Sequence, residues 1–152
     1  MGLPTFRPYF PNASIRFGRG DWKTFVEDKV PGANAEAFRR RELGKVDLIE
    51  RDGSVAPGIS SLHTPGHTPG HQTYVLSAGS ERALFLGDAI ACPLQMEAPG
   101  LEALADFDEE LGVRTRDRIM QELEDGDLVS GPHFPGVRFG PTVVGAGSKY
   151  WT

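Results

Sequence analysis

Short apolar stretches and longer amphipathic stretches follow one another along the chain. The apolar stretches predict strands at 13–17, 46–50, 58–63, 72–77, 82–88 and 127–131. The amphipathic stretches predict helices at 21–29, 35–43 and 109–124. The final stretch, 137–151, predicts a β-ribbon. Strands mixed with helices in this order indicate a mixed α/β domain.

Capping and turn residues refine the predicted elements. Asp21 and Asn34 are expected to be the N-caps of the first two helices. An Asp52-Gly53 turn should join the second and third strands, and "AGSE" should close a hairpin between the fourth and fifth. Gly112 weakens the first turn of the last helix, which should end before Gly126.

Composition narrows the classes of protein that the chain can represent. Its 152 residues, 39% of them hydrophobic, suit one domain, and no apolar run reaches the length of a membrane span. The net charge of −5 argues against nucleic acid as a partner, and the basic cluster at 38–42 is expected to lie on the solvent-exposed face of a helix. Cys92, the single cysteine, suits a reducing cytoplasm and is expected to pack as a small buried hydrophobe.

The stretch "HTPGHTPGH", at 63–71, holds three of the four histidines. Their spacing would align them on a helix, but Pro65 and Pro69 exclude one, since proline in a helix interior costs about 3 kcal/mol. The stretch is therefore predicted to be a loop, made rigid by its Thr-Pro-Gly turns. Such a loop suits side chains that must be held in place around a metal ion.

Two further polar residues follow predicted strands. Asp88 ends "LFLGD" and His133 follows "LVSGP". Each has an ordinary alternative: a Gly-Asp pair usually forms a turn, and a histidine before Phe-Pro usually packs. Together with an imidazole from the histidine loop, however, they form a ligand set that zinc or iron(II) accepts.

Three motifs, "TPGHTPGH", "LFLGDA" and "VSGPHFP", occur in this order. With "PTFRPYFPNASIRFGRGDW", "FDEELGVRTRDRIMQEL" and "GSKYW", they resemble the metallo-β-lactamase superfamily, in the branch that contains lactonases and organophosphate-type hydrolases. The resemblance extends over nearly the whole chain. It implies the αβ/βα sandwich of that superfamily.

The resemblance also implies roles for individual residues. His67 would bind one metal ion and His133 a second, with Asp88 as the bridging and catalytic carboxylate. His71 is expected to support the ligands, with packing as the alternative, and His63 is expected to be structural. The implied cofactor is two zinc ions, with iron or manganese as alternatives. The implied chemistry is attack by a metal-bound hydroxide on an ester, lactone or phosphotriester.

The sequence departs from the superfamily at one important place. The motif His-x-His-x-Asp-His is absent, and the histidines are His63, His67, His71 and His133. We therefore expect 1–152 to be a single partial domain, the C-terminal portion of such a hydrolase, inactive as an isolated chain. A smaller departure is Ala91, where many relatives should have histidine. The alternative is a non-catalytic remnant that serves as a metal-binding or protein-interaction module.

The expected partners follow from the same interpretation. A sheet face without its partner sheet should drive homodimer formation or association with the missing N-terminal half. The other expected partner is a small-molecule substrate, and neither nucleic acid nor a membrane is expected. The sequence does not indicate which residues bind the substrate.

Overall fold

The computed structural model describes residues 10, 12–31, 45–145 and 147–152. The chain divides into two compact units, Met1–Glu50 and Arg51–Thr152. The predicted single domain over 1–152 remains a prediction. The predicted helix at 35–43, with its cap and its basic cluster, lies outside the described residues. No helix in the described ranges is long and apolar enough to cross a membrane.

The described residues of the first unit form two strands and a helical segment. β1 (Ser14–Gly18) pairs in parallel with β2 (Lys45–Ile49), which confirms two predicted strands within one residue. Helix α1 (Arg19–Asp21) follows β1 and continues as a π-helical segment, Trp22–Glu27. The prediction of Asp21 as N-cap is wrong. The helix begins two residues earlier, so Asp21 has helical backbone angles and its side chain caps nothing.

The second unit is built on a seven-stranded sheet whose spatial order follows the chain. Neighbouring strands are antiparallel except β6 and β7, which are parallel. The strands are β3 (Gly53–Ala56), β4 (Ile59–His63), β5 (Gln72–Ala78), β6 (Glu81–Phe85), β7 (Leu128–Ser130), β8 (Gly140–Gly145) and β9 (Ser148–Trp151). Helices α2 (Leu94–Glu97) and α3 (Glu109–Glu122) lie in the crossover between the two parallel strands.

Most predicted elements of the second unit are confirmed, including the β5–β6 hairpin and the terminal ribbon β8–β9. One strand was not predicted: β3 pairs with β4, so β4 does not pair with the strand before the Asp52-Gly53 turn. Asp52 instead accepts a hydrogen bond from the backbone N–H of His63 at 2.5 Å. The strand predicted at 82–88 ends at Phe85, because a 3₁₀ turn begins at Gly87.

The core lies between one sheet face and helix α3. Asp108 is the N-cap of the helix, and its carboxylate accepts the N–H of Leu111 at 2.9 Å. Residues of the sheet, of α3 and of the segments that connect them exclude water almost completely, and this apolar burial stabilises the unit. The buried core residues are Val75, Leu84, Leu86, Ala89, Ile90, Met96, Ile119, Met120, Leu123, Val129 and Phe134.

The opposite sheet face is exposed in the part formed by β6, β7 and β8. Strand register places Phe85, Leu128 and Val143 on this face, and their exposed fractions are 44%, 40% and 42%. Phe139 adds a ring that contacts Phe85 at 4.7 Å between centroids. We name this set the outer sheet face. The apolar run "ALFL" is thus not covered on both faces: Leu84 is buried and Phe85 is not.

The loop between β4 and β5 lies directly against the first turns of helix α3. Gly66 has φ +136°, and a Cβ placed on it would lie 2.4 Å from the Cα of Gly112. The N–H groups of Phe107 and Asp108 donate to the carbonyls of His67 and Gly66, at 3.1 and 3.0 Å. Two backbones therefore meet here without a side chain between them.

We expect Gly66→Ala to reduce the free energy of unfolding by roughly 2–3 kcal/mol, because the added methyl group meets rigid backbone and the positive φ strains alanine. Urea denaturation measures this change. Gly100→Ala is the matched control, since a Cβ there meets nothing within 4 Å. Equal stability of the two variants would contradict the close contact.

Candidate metal centre

Three segments bring the predicted ligands to one edge of the sheet. His67 lies in the β4–β5 loop, Asp88 follows β6, and His133 follows β7. Because β6 and β7 are parallel, their carboxyl ends meet at the same edge. The N–H of Leu86 donates to the carbonyl of Ser130 at 2.9 Å and extends this pairing toward the site.

The carboxylate of Asp88 lies between the two imidazoles. Its Oδ2 is 3.6 Å from Nε2 of His67, and its Oδ1 is 3.3 Å from Nε2 of His133. The exposed fractions of the three side chains are 36% for Asp88, 24% for His67 and 69% for His133, so the cluster opens to solvent. Each carboxylate oxygen therefore faces a different histidine.

This donor set fits a pair of divalent cations only in part. One anion with an oxygen toward each imidazole is what a bridging ligand requires. Within the described part of the chain, however, no three His, Cys, Asp or Glu side chains are grouped so that they could hold one ion. The cluster therefore provides two half-sites on either side of Asp88, and each would need donors beyond these three residues.

His71 supports the cluster through a buried chain of hydrogen bonds. Its Nε2 accepts the backbone N–H of Asp88 at 3.1 Å, and its Nδ1 lies 2.8 Å from Oγ1 of Thr64. Thr64 is 3.2 Å from Oγ1 of Thr73, which donates to the carbonyl of Leu86 at 3.2 Å. With Nε2 as acceptor, Nδ1 carries the proton, and the ring of His71 is not directed to coordinate a metal.

Burial lowers the pKa of His71 to about 4, and the nearby His67 contributes in the same direction. The ring is therefore neutral near pH 7, as its acceptor role requires. Gly87 leaves the space for it: a Cβ on Gly87, at φ +57°, would lie 2.5 Å from Nε2 of His71. The structure thus brings His71 against the backbone of Asp88.

A hydrogen-bonding partner of His67 was not predicted from the sequence. Nδ1 of His67 lies 3.1 Å from Oδ1 of Asp106, whose side chain is completely buried. The other oxygen of Asp106 accepts a hydrogen bond from Arg116, also completely buried, at 2.9 Å. A Cβ on Gly112 would lie 2.3 Å from Oδ2 of Asp106, so the missing side chain of Gly112 leaves room for this carboxylate.

The other histidines differ in their surroundings. His133 is exposed. The neighbouring Phe134 packs in the core: it is 2% exposed, and its ring centroid lies 5.2 Å from that of Trp151. Nε2 of His63 contacts the carbonyl of Pro69 at 3.2 Å, across the base of the histidine loop. This contact is consistent with a structural role for His63.

Two predictions around Asp88 have different outcomes. Cys92 is a free thiol but only half-buried, so the expectation of a buried cysteine is wrong. It lies just after the 3₁₀ turn, at the edge of the core rather than inside it. The N–H of Ala91 donates to Oε1 of Gln95 at 2.8 Å, and the expected histidine in relatives remains a prediction.

Comparison with known proteins places this arrangement in a family. A sequence model of the metallo-β-lactamase superfamily matches residues 6–133, and the chain belongs to that superfamily. An N-acyl homoserine lactonase from a Bacillus species is 36% identical over 77 residues, which are 49% of this chain and 29% of the relative. A second such lactonase, from Bacillus thuringiensis, is 34% identical over 80 residues, 51% of this chain and 30% of the relative.

Solved structures show the same fold. AidC, a dizinc quorum-quenching lactonase solved with a product, has a TM-score of 0.76 and 21% identity over 94% of this chain. The hydrolase AbOPH of the β-lactamase superfamily has a TM-score of 0.70 and 24% identity over 93% of this chain. Both matches cover 55% of the solved chain, so this chain spans about half of their length. The predicted family and fold class, a partial metallo-β-lactamase-like α/β fold, are confirmed.

We expect the metal-free chain to lose stability between about pH 7 and pH 5.5. The unfolded chain protonates His71 near its ordinary pKa of 6.5, while the folded chain does so only near 4. The unfolded state therefore binds more protons in this window, and the free energy of unfolding falls by about 1 kcal/mol as pH falls. Urea denaturation with a chelator present measures this. In His71→Gln the part of this decrease that comes from His71 should vanish. If the stability of the unmodified chain and of His71→Gln fell in parallel with pH, the attribution to His71 would be contradicted.

Proposed function

We propose that this chain is part of a metal-dependent hydrolase whose ions lie on either side of Asp88. The observation that supports the proposal most directly is the carboxylate of Asp88, with one oxygen toward His67 and the other toward His133. The proposed ions are two zinc ions, and iron or manganese would accept the same ligands. AidC, which shares the fold, is a dizinc lactonase, and this supports the choice of zinc.

The residues of the chain have separable roles in this proposal. When bound, a zinc pair activates water and polarises a substrate oxygen. Asp88 would contribute a ligand to both ions and balance part of their charge, while His67 and His133 would each bind one of them. His71 orients Asp88 through its backbone N–H. The chemistry then needs no nucleophilic serine or cysteine, and Cys92 has no part in it.

The proposed substrate is a small ester, lactone or phosphotriester. Support comes from the relatives, which are N-acyl homoserine lactonases, and from the open position of the cluster at the sheet edge. We place the protein in the cytoplasm, because it has a single cysteine and that thiol is free.

A second candidate function is that of a non-catalytic metal-binding or interaction module. The two half-sites favour it, because neither is complete within the described residues.

We expect the 152-residue chain to bind zinc weakly, below one ion per chain after dialysis, because each half-site has only two of the usual four donors. Asp88→Ala should abolish this binding, since it removes a donor from both half-sites. Elemental analysis and zinc titration measure the effect, with the exposed Asp117→Ala as control. Two tightly held zinc ions per chain would show that further ligands exist.

The same variants test catalysis. The chain alone should hydrolyse lactones and aryl esters no faster than Asp88→Ala. Addition of a segment that bears the His-x-His-x-Asp-His motif should produce a metal-dependent rate in the unmodified chain only. Turnover by the isolated chain that a chelator abolishes would show that the present residues suffice.

The outer sheet face is proposed as an association surface, covered in the isolated chain by a second copy. At roughly 25 cal/mol per Å², a few hundred Å² of apolar surface would contribute on the order of 10 kcal/mol. We expect self-association at micromolar concentration by sedimentation velocity. Phe85→Glu combined with Val143→Lys should shift the chain toward monomer, whereas Leu104→Lys, at an exposed loop residue off the sheet, should not. A monomeric unmodified chain would contradict the proposal.

A further inference from the structure

Asp106 and Arg116 form a completely buried ion pair that reaches His67. Oδ2 of Asp106 accepts a hydrogen bond from Arg116 at 2.9 Å, and Oδ1 lies 3.1 Å from Nδ1 of His67. Both charged side chains have no exposed surface. A buried pair of this kind is retained only when its remaining hydrogen-bonding groups find partners, so its geometry is strongly constrained.

Arg116 is fixed at three points of its planar guanidinium group. Besides Asp106, Nε donates to the carbonyl of Pro99 at 3.4 Å, and a terminal nitrogen donates to the carbonyl of Leu101 at 3.0 Å. Gly112 supplies the space in which the Asp106 carboxylate lies against the helix. The carboxylate therefore cannot turn away from Arg116 without leaving a buried donor unpaired.

A carboxylate in this position can only accept a hydrogen bond from His67. The Nδ1 of His67 must then carry the ring proton, which leaves a lone pair on Nε2. That lone pair and Oδ2 of Asp88 face each other at 3.6 Å. Two acceptors at that distance repel each other unless a cation or a proton lies between them.

We propose that Asp106 and Arg116 are positioning residues that hold His67 in its Nδ1-protonated tautomer and so direct the Nε2 lone pair toward Asp88. The consequence for zinc rests on the proposed function: a histidine with this partner is oriented for coordination before the ion arrives. The tautomer itself does not depend on metal, and it can be measured on the metal-free chain.

The variant Asp106→Asn tests the proposal at nearly constant shape. The buried N–H of Arg116 still requires an acceptor, so the amide oxygen turns to Arg116 and the amide NH₂ faces His67. Nδ1 must then accept, and the ring proton moves to Nε2. Long-range ¹H–¹⁵N NMR of the metal-free chain above pH 7, with His67→Gln for assignment, distinguishes the two tautomers.

Thr115→Val is the matched control. Thr115 lies on helix α3 beside Arg116, and it donates to the carbonyl of Pro65, in the loop that carries His67, at 2.5 Å. It has no hydrogen bond to the His67 ring. This variant should lose stability and keep the tautomer of His67. If the role of Asp106 were purely structural, both variants would lose stability and both would keep the tautomer of His67.

The expected result is an Nδ1-protonated His67 in the unmodified chain, an Nε2-protonated His67 in Asp106→Asn, and a loss of zinc affinity of about 10–100-fold in that variant. An Nε2-protonated ring in the unmodified chain would overturn the proposal even if Asp106→Asn did not fold. An unchanged tautomer in the variant would overturn it as well. If the tautomer changes but neither chain binds zinc, the positioning role stands and the proposed metal site fails.

Discussion

The cluster of His67, Asp88 and His133 depends on the close approach of the histidine loop to helix α3. The backbones of Gly66 and Gly112 meet with no side chain between them. This contact lets the segment just before the helix donate its N–H groups to the carbonyls of Gly66 and His67. It also places Asp106 next to the His67 ring. A side chain at Gly66 would separate the loop from the helix, and a side chain at Gly112 would displace the carboxylate of Asp106 from its place beside the helix.

Much of the fold and of the cluster could be predicted from local patterns. Prolines excluded a helix at 63–71, and apolar stretches ending in polar turns indicated where Asp88 and His133 lie. These are short-range signals, because strand ends and turn residues are adjacent in sequence. The helical start was misplaced at Asp21, since an acidic residue near a helix start resembles a cap even when it lies inside the first turn.

The contacts that the sequence did not indicate are long-range. Asp106 lies 39 residues after His67, beyond two strands and within the crossover, and nothing in the residues around it distinguishes it from the exposed acids that follow. Gly112 looked like a weak point of a helix, whereas its missing side chain is what admits the carboxylate. Strand β3 was missed because its four residues, "GSVA", are short and half polar. Tertiary packing determines such features, and local propensity does not.

The parallel pairing of β6 and β7 also determines when the cluster can form as the chain folds. The other sheet contacts of the second unit are antiparallel, between strands that follow one another directly, whereas this pair closes only after the whole crossover with both helices is in place. Closing so long a loop is slow, because its entropy is lost before the contact stabilises the chain. Asp88 and His133 follow these two strands, so an ion held between them would bind only to a sheet already closed. It would therefore slow unfolding much more than it would speed folding.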